Sequence, residues 1–335
     1  MRRVLTVLAV APLLAGCAAF TSSESASPGS AAPTGTPLSP GSSSAAPVTP
    51  FVPRVASVSV ARWRLPVAVG RQAVVPVGRT AVVMAGGLVA GDQSTDVAVR
   101  IDLATGLTAR LPPLAVPVHD VAGGLLGRRP VVVGGGNATE QDVVQTLSGA
   151  AWHVTGHLPT SRSDLNVVQR GPQPVVIGGY DGANVPTEVL ALAGDGSSRT
   201  VGHLVHGVRY AATAVSHHTA YAFGGEVLGR ELGTVQAVDL TTGRTRVVAT
   251  LPVPLGHAMA VTVGSRILLM GGRVTPDRQT AAMWWFDPAT GRFTRAGRLP
   301  RALSDAGVAA SGHRIWLLGG EDPAVTDGVL TISVR

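Results

Sequence analysis

Six short apolar runs in this chain end in glycine pairs: Val82-Val83-Met84-Ala85-Gly86-Gly87, Val131-Val132-Val133-Gly134-Gly135, Val175-Val176-Ile177-Gly178-Gly179, Tyr221-Ala222-Phe223-Gly224-Gly225, Leu268-Leu269-Met270-Gly271-Gly272 and Trp316-Leu317-Leu318-Gly319-Gly320. Counted from the first glycine, with Ala85 standing in for it in the first copy, they recur at steps of 49, 44, 46, 47 and 48 residues. A leucine precedes each pair, at Leu65, Leu114, Leu158, Leu204, Leu251 and Leu299, mostly followed by proline. Six residues beyond each leucine a new strand begins, and fourteen beyond that stands the glycine pair. Two independent landmarks keep one register six times.

A repeat of about 47 residues that holds four β-runs is a propeller blade. Blade five is the clearest copy, with strands predicted over His257–Val263, Arg266–Gly271, Ala281–Phe286 and Arg292–Arg298. The innermost strands are rich in small residues, as in Ala211-Ala212-Thr213-Ala214 and Ala306-Gly307-Val308-Ala309-Ala310, which suits strands converging on a narrow axis. The expected fold is all-β: a six-bladed β-propeller over residues 54–335 with four antiparallel strands per blade. The last repeat is one strand short, and Val58–Leu65 precedes the first leucine without partners in sequence. Pairing it with Val329–Val334 is expected to close the ring and remove two exposed edges.

Strand order decides which loops share a face. The entry to each innermost strand and the loop after each glycine pair lie at one end, here called the top. The position six past each leucine therefore rings the top mouth of the central channel. It holds Arg71, Asp120, Asp164, Tyr210, His257 and Asp305. Asn137, Tyr180, Asp181, Glu226, Arg273, Glu321 and Asp322 follow the glycine pairs on the same face. Aspartate also caps turns well, so Asp120, Asp164 and Asp305 have a plain structural reading beside the functional one. The expected ligand-binding set is Arg71, Asp120, Asp164, Tyr210, His257, Asp305, Arg273 and Glu226. The bottom turns carry Arg79, Arg128, Arg129, Arg170, Arg244, Arg266, Arg292 and Arg314.

Composition adds the cellular setting. The formal charge is +7, and its positive part is all arginine. The basic residues are spread along the chain without interleaved aromatics, which speaks against nucleic acid as a partner. Met1-Arg2-Arg3, an apolar stretch Val4 to Leu13, and then Leu14-Ala15-Gly16-Cys17 have the layout of a signal peptide. The tetrapeptide resembles the lipobox of bacterial lipoproteins, which implies a diacylglyceryl group on Cys17 after removal of residues 1–16. Residues 17–53 form a Ser, Ala and Pro-rich spacer, with Glu24 as its only charge. About 35 such residues reach roughly 30 Å as a coil, or about 100 Å if extended. The expectation is a monomeric propeller, lipid-anchored on the extracytoplasmic side of the cell membrane.

The glycine pairs and the period also carry a resemblance to kelch repeats, from about Ala56 to Arg335. That family adds a Trp at the start of the fourth strand. Here the position is Trp152 or Phe293 in two blades but Ser59, Thr108, Ser198 and Thr245 in the others. The resemblance implies that the mouth is the ligand surface. It also brings up copper–radical oxidases, whose Tyr–Cys cofactor the single, terminal Cys17 excludes. A zinc site would have to use His and carboxylates alone, and no metal or cofactor is expected. The leading reading is non-catalytic: a platform for an envelope protein, peptide or glycan. The alternative is a cofactor-free sugar epimerase or mutarotase, with His257 as acid, Arg71 or Arg273 as anchor, and Asp305 or Glu226 as base. Perturbed titration in a concave mouth would favour the alternative. A third reading is a surface spacer with no ligand.

Overall fold

A computed structural model of the chain describes residues 52–335. The expected signal peptide, Cys17 and nearly all of the expected spacer lie outside the described residues.

Each repeat forms a four-stranded antiparallel sheet. Blade 1 comprises Ala73–Pro76, Ala81–Ala85, Ala98–Asp102 and Thr108–Arg110, and blade 2 Ala122–Leu126, Arg129–Val133, Val143–Ser148 and Ala151–His157. Blades 3, 4 and 5 repeat the order, ending on Ser198–His203, Thr245–Thr250 and Arg292–Arg298. In blade 6, Gly307–Ser311, Arg314–Leu318 and Val329–Val334 are followed across the sheet by Val55–Val60. That last pair is antiparallel, with Val60 opposite Leu330 and Val55 opposite Val334. The strand lies earlier than the expected Val58–Leu65. Beyond it the chain turns inward, where Leu65 N–H donates to Asp327 O at 2.9 Å.

The landmark leucines all do one job. Leu65, Leu114, Leu158, Leu204, Leu251 and Leu299 are each only 4–5% exposed. Each inserts between blades: Leu204 joins a cluster with Val208 and Ala211, and Leu299 one with Leu303, Leu317 and Leu330. Burying such a side chain contributes about 1.5–3 kcal/mol.

The glycine pairs have a steric cause. Gly224 and Gly225 adopt φ of 60° and 98°, and the other pairs match them closely. A Cβ on Gly224 would lie 2.0 Å from Leu255 O, and in the other five copies the same clash is with the corresponding carbonyl of the next blade, at 2.2–2.7 Å. The second glycine donates its N–H to that carbonyl, as in Gly225 N to Leu255 O at 2.9 Å. Gly320 N to Val69 O, also 2.9 Å, makes the same link from blade 6 back to blade 1. In blade 1 the pair is Gly86-Gly87, and Ala85 is the last strand residue, not a stand-in for glycine. The hairpin turn between Pro76 and Val82 there is one residue longer than in the other blades, which shifts the register.

Candidate functional site

The six mouth residues do not open the innermost strands but precede them, in left-handed turns. Arg71, Asp120, Asp164, Tyr210, His257 and Asp305 have φ between 50° and 58°. Their backbones link blade to blade around the axis. Asp164 N–H donates to Asp120 O (2.9 Å), Tyr210 N–H to Asp164 O (3.0 Å), His257 N–H to Tyr210 O (2.9 Å), Asp305 N–H to His257 O (3.0 Å) and Arg71 N–H to Asp305 O (2.9 Å). Between blades 1 and 2 the donor is Val121 N–H, 3.4 Å from Arg71 O. The mouth is a backbone hoop.

Aspartate tolerates this conformation, because its side chain can hydrogen-bond locally; arginine, tyrosine and histidine do so at a cost of about 1–2 kcal/mol each. A second ring sits against the hoop. The residue before each mouth position bridges the residue after each glycine pair: Gly70 with Leu88, His119 with Gly136, Ser163 with Tyr180, Arg209 with Glu226, Gly256 with Arg273 and Ser304 with Glu321. This ring supplies functional groups from blades 2 to 6 only, because the Gly70–Leu88 pair of blade 1 carries none.

The side chains meet over the channel. The Tyr210 and His257 rings stack with centroids 3.8 Å apart. The Tyr210 hydroxyl donates to Asp120 Oδ2 at 3.3 Å and accepts from Arg71 NH1 at 3.4 Å and Arg209 NH2 at 3.3 Å. Arg209 lies over the Tyr180 and Tyr210 rings and pairs with Asp164. His257 Nδ1 is 2.8 Å from Asp305 Oδ1, and its Nε2 is 3.5 Å from Glu226 Oε2. Arg71 Nε donates to Glu321 Oε1 at 2.6 Å, while Arg273 NH2 donates to Glu321 Oε2 at 2.5 Å. On the blade 2 side, His119 Nε2 is 3.4 Å from Asp120 Oδ2, and its Nδ1 is 2.7 Å from Ser94 Oγ.

Burial and charge set the proton inventory. Burial, and then the Asp120 charge, push the Asp164 carboxyl up to about 7, against Arg209 and Tyr210. Burial opposes the His257 imidazolium, yet Asp305 and Glu226 lift it to about 9. Burial would raise Asp305, but His257, Arg71 and Arg273 hold it well below the usual carboxylate range. The hydrogen bond from His257 leads the effects that lower Glu226. Burial and the two aspartates raise the Tyr210 hydroxyl, so it stays protonated.

Beneath these groups lies a cavity of ≈ 210 Å³ along the axis, walled by the mouth residues and by Gln72, Val74, Val167, Thr213, Ala260 and Val308. Ordinary ligand pockets run about 300–1,000 Å³, so this one takes a small molecule. Gln72 Nε2 donates to Leu318 O at 2.8 Å, and its buried Oε1 has no partner.

All eight expected residues gather here. Arg71 and Arg273 are not free, however: both are held by Glu321. Three other residues after the glycine pairs serve locally instead. Asn137 donates to Pro117 O, Asp181 caps the Ala183 and Asn184 amides, and Asp322 pairs with Arg301. Sequence reasoning missed Arg209, His119 and Ser304, each one position before the mouth residue. Among the described residues no group of three or more His, Cys, Asp and Glu is placed to hold a metal ion.

No protein-family model matches the chain, and no curated protein matches it. Among solved structures, one described as the structure of YjhT is similar with a TM-score of 0.70 and 14% identity, over 81% of this chain and 99% of the other. The likeness is one of fold. The kelch-type repeat remains a resemblance carried by the glycine pairs.

Proposed function

We propose that the propeller mouth binds a small, hydroxyl-rich ligand such as a monosaccharide or the end of a glycan, on a domain tethered through lipid at Cys17. The observation that carries the reading is backbone strain. Arg71, Tyr210 and His257 occupy left-handed positions that Gly, Asn or Asp would fill at little cost. Strain at three of the six mouth positions is best accounted for by a need for their side chains. Those side chains supply a stacked ring pair, a hydroxyl and an array of fixed donors and acceptors above a small cavity. That chemistry suits a sugar, with an apolar ring face and hydroxyls on its rim. The cavity size favours a small ligand over the envelope protein or peptide of the broader expectation. The tether rests on the run Leu14-Ala15-Gly16-Cys17 alone.

A second reading, mutarotation or epimerisation, is favoured by one further observation. Ring opening of a sugar hemiacetal needs a proton donor and a proton acceptor in the same site. Asp164, raised to about 7, sits beside Asp120 and provides such a pair near neutrality. The earlier assignment changes accordingly, because His257, Arg71 and Arg273 hold Asp305 ionised and make it a weak base.

The test is ligand-observed NMR of the purified protein with a panel of uncharged monosaccharides. Binding is expected, with affinity falling about tenfold or more in Tyr210→Ala and His257→Ala, the loss of one or two hydrogen bonds plus ring stacking. Arg266→Ala, on the bottom face, should bind as the parent does. Loss through Arg266→Ala with Tyr210→Ala unaffected would sink the reading. Exchange between anomers, read in the same spectra, decides the second one.

A further inference from the structure

We infer that Glu321 is a built-in carboxylate that fills a two-arginine cradle and so restricts the mouth to uncharged ligands. The inference rests on the ligand-binding reading and names its substrate class. Arg71 from blade 1 and Arg273 from blade 5 converge on one small volume, a fork suited to a ligand carboxylate or phosphate. Glu321 from blade 6 already occupies it, with one oxygen 2.6 Å from Arg71 Nε and the other 2.5 Å from Arg273 NH2.

The carboxylate is placed there by the backbone. Ser304 and Glu321 exchange both main-chain hydrogen bonds, at 3.1 and 2.8 Å, at the base of the hairpin Glu321–Asp322/Ala324–Val325. Room for the side chain comes from Gly70, where an added Cβ would stand 3.3 Å from Glu321 Cγ. The equivalent position carries His119, Ser163, Arg209 and Ser304 in four other blades and Gly256 in the fifth. Gly70 does not lie in the left-handed region, so the turn does not require glycine there, whereas the close approach to Glu321 favours it.

Every other mouth cation is also matched internally. Arg209 faces Asp164, and His257 lies between Asp305 and Glu226. Four cationic side chains thus face five carboxyl groups. An incoming anion finds no unpaired cation and must approach Glu321, which is only 6% exposed and cannot swing into solvent without leaving both arginines. An uncharged polyol meets no such repulsion and still finds acceptors and donors around the ring.

The experiment compares galactose with galacturonate, which differ by one carboxylate, by calorimetric titration of the parent protein and Glu321→Gln. The parent is expected to bind galactose at least tenfold more tightly. Glu321→Gln keeps the shape, removes the charge and should erase at least tenfold of that preference by gaining affinity for galacturonate, a gain that added salt weakens. Equal binding of the two sugars by the parent, or an unchanged ratio in Glu321→Gln, would overturn the inference. If the parent binds neither sugar, the ligand-binding reading fails and acetate judges the cradle alone. An acetate-dependent rise in melting temperature in Glu321→Gln and not in the parent supports the inference; no rise in either overturns it. If Glu321→Gln does not fold, Glu321→Ala replaces it, because it removes the carboxylate from the fork outright. The same shift toward the acid is then expected, and its absence counts against the inference.

Discussion

The landmark leucine and the mouth position stand six residues apart and recur six times on one backbone geometry, yet they behave in opposite ways. At the first, six copies are the same residue, each 4–5% exposed between blades. At the second, six copies share a left-handed φ and a hoop of hydrogen bonds but present Arg, Asp, Asp, Tyr, His and Asp. Where a side chain only fills space, the repeat enforces one solution. Where it faces the channel, the repeat supplies a fixed mount and leaves the chemistry to vary. Strain follows the second pattern and not the first, which separates frame from function within a single blade.

The largest effect should come from removing a whole element of the frame. A chain starting at Pro66 loses Leu65 and the strand Val55–Val60, and leaves Val329–Val334 as a bare edge. It should aggregate or melt far below the parent. Melting like the parent would mean that the frame does not depend on this copy. Next, Leu251→Ala should cost about 2–5 kcal/mol in urea denaturation while leaving mouth binding intact. His257→Asn is the matched change at the mouth. It relieves backbone strain but strips Asp305 of its imidazole partner, so a net loss of about 1–2 kcal/mol is expected, together with a tenfold loss of ligand. A mouth change as costly as Leu251→Ala would erase the distinction between the two positions.

The pH profile is a finer probe. His257 titrates near 9 in the folded chain, against about 6.5 unfolded. Its contribution is therefore whole below about pH 6.5 and lost as pH rises through 9. Asp164, raised to about 7 from an unfolded value of about 3.9, likewise favours folding at the acid end and loses that advantage between about pH 4 and 7. Asp305 is lowered, so its share is present above about pH 4 and lost as pH falls below that. Melting temperature should therefore peak on the acid side of neutrality. Asp164→Asn should flatten the slope between pH 4 and 7, and a slope unchanged by it would contradict the carboxyl pair. The smallest effect is expected for Arg266→Ala, within about 0.5 kcal/mol and without change in binding.

Much of the fold was legible because its constraints are local and repeated. A glycine whose Cβ would strike a carbonyl of the next blade must recur in every blade, as must a leucine that fills the same gap. The ring of mouth residues was legible for the same reason. What the position meant was not. The sequence pattern made Arg71, Tyr210 and His257 openers of strands, and only backbone geometry reveals the left-handed turn. Arg209 was missed because it is one residue off the counted position, so its pairing with Asp164 of the preceding blade fell outside the counted ring. Glu321 stood on the expected face, but its role depends on two arginines 48 and 250 residues away.

The backbone hoop has a bearing on how such a propeller changes over time. Its bore is set by main-chain bonds from one blade to the next, so a substitution at the rim alters what is recognised without altering the aperture. The chemistry of the mouth can then drift through single replacements, each mounted on an unchanged backbone ring. A duplicated gene could acquire a new specificity without first passing through an unstable intermediate.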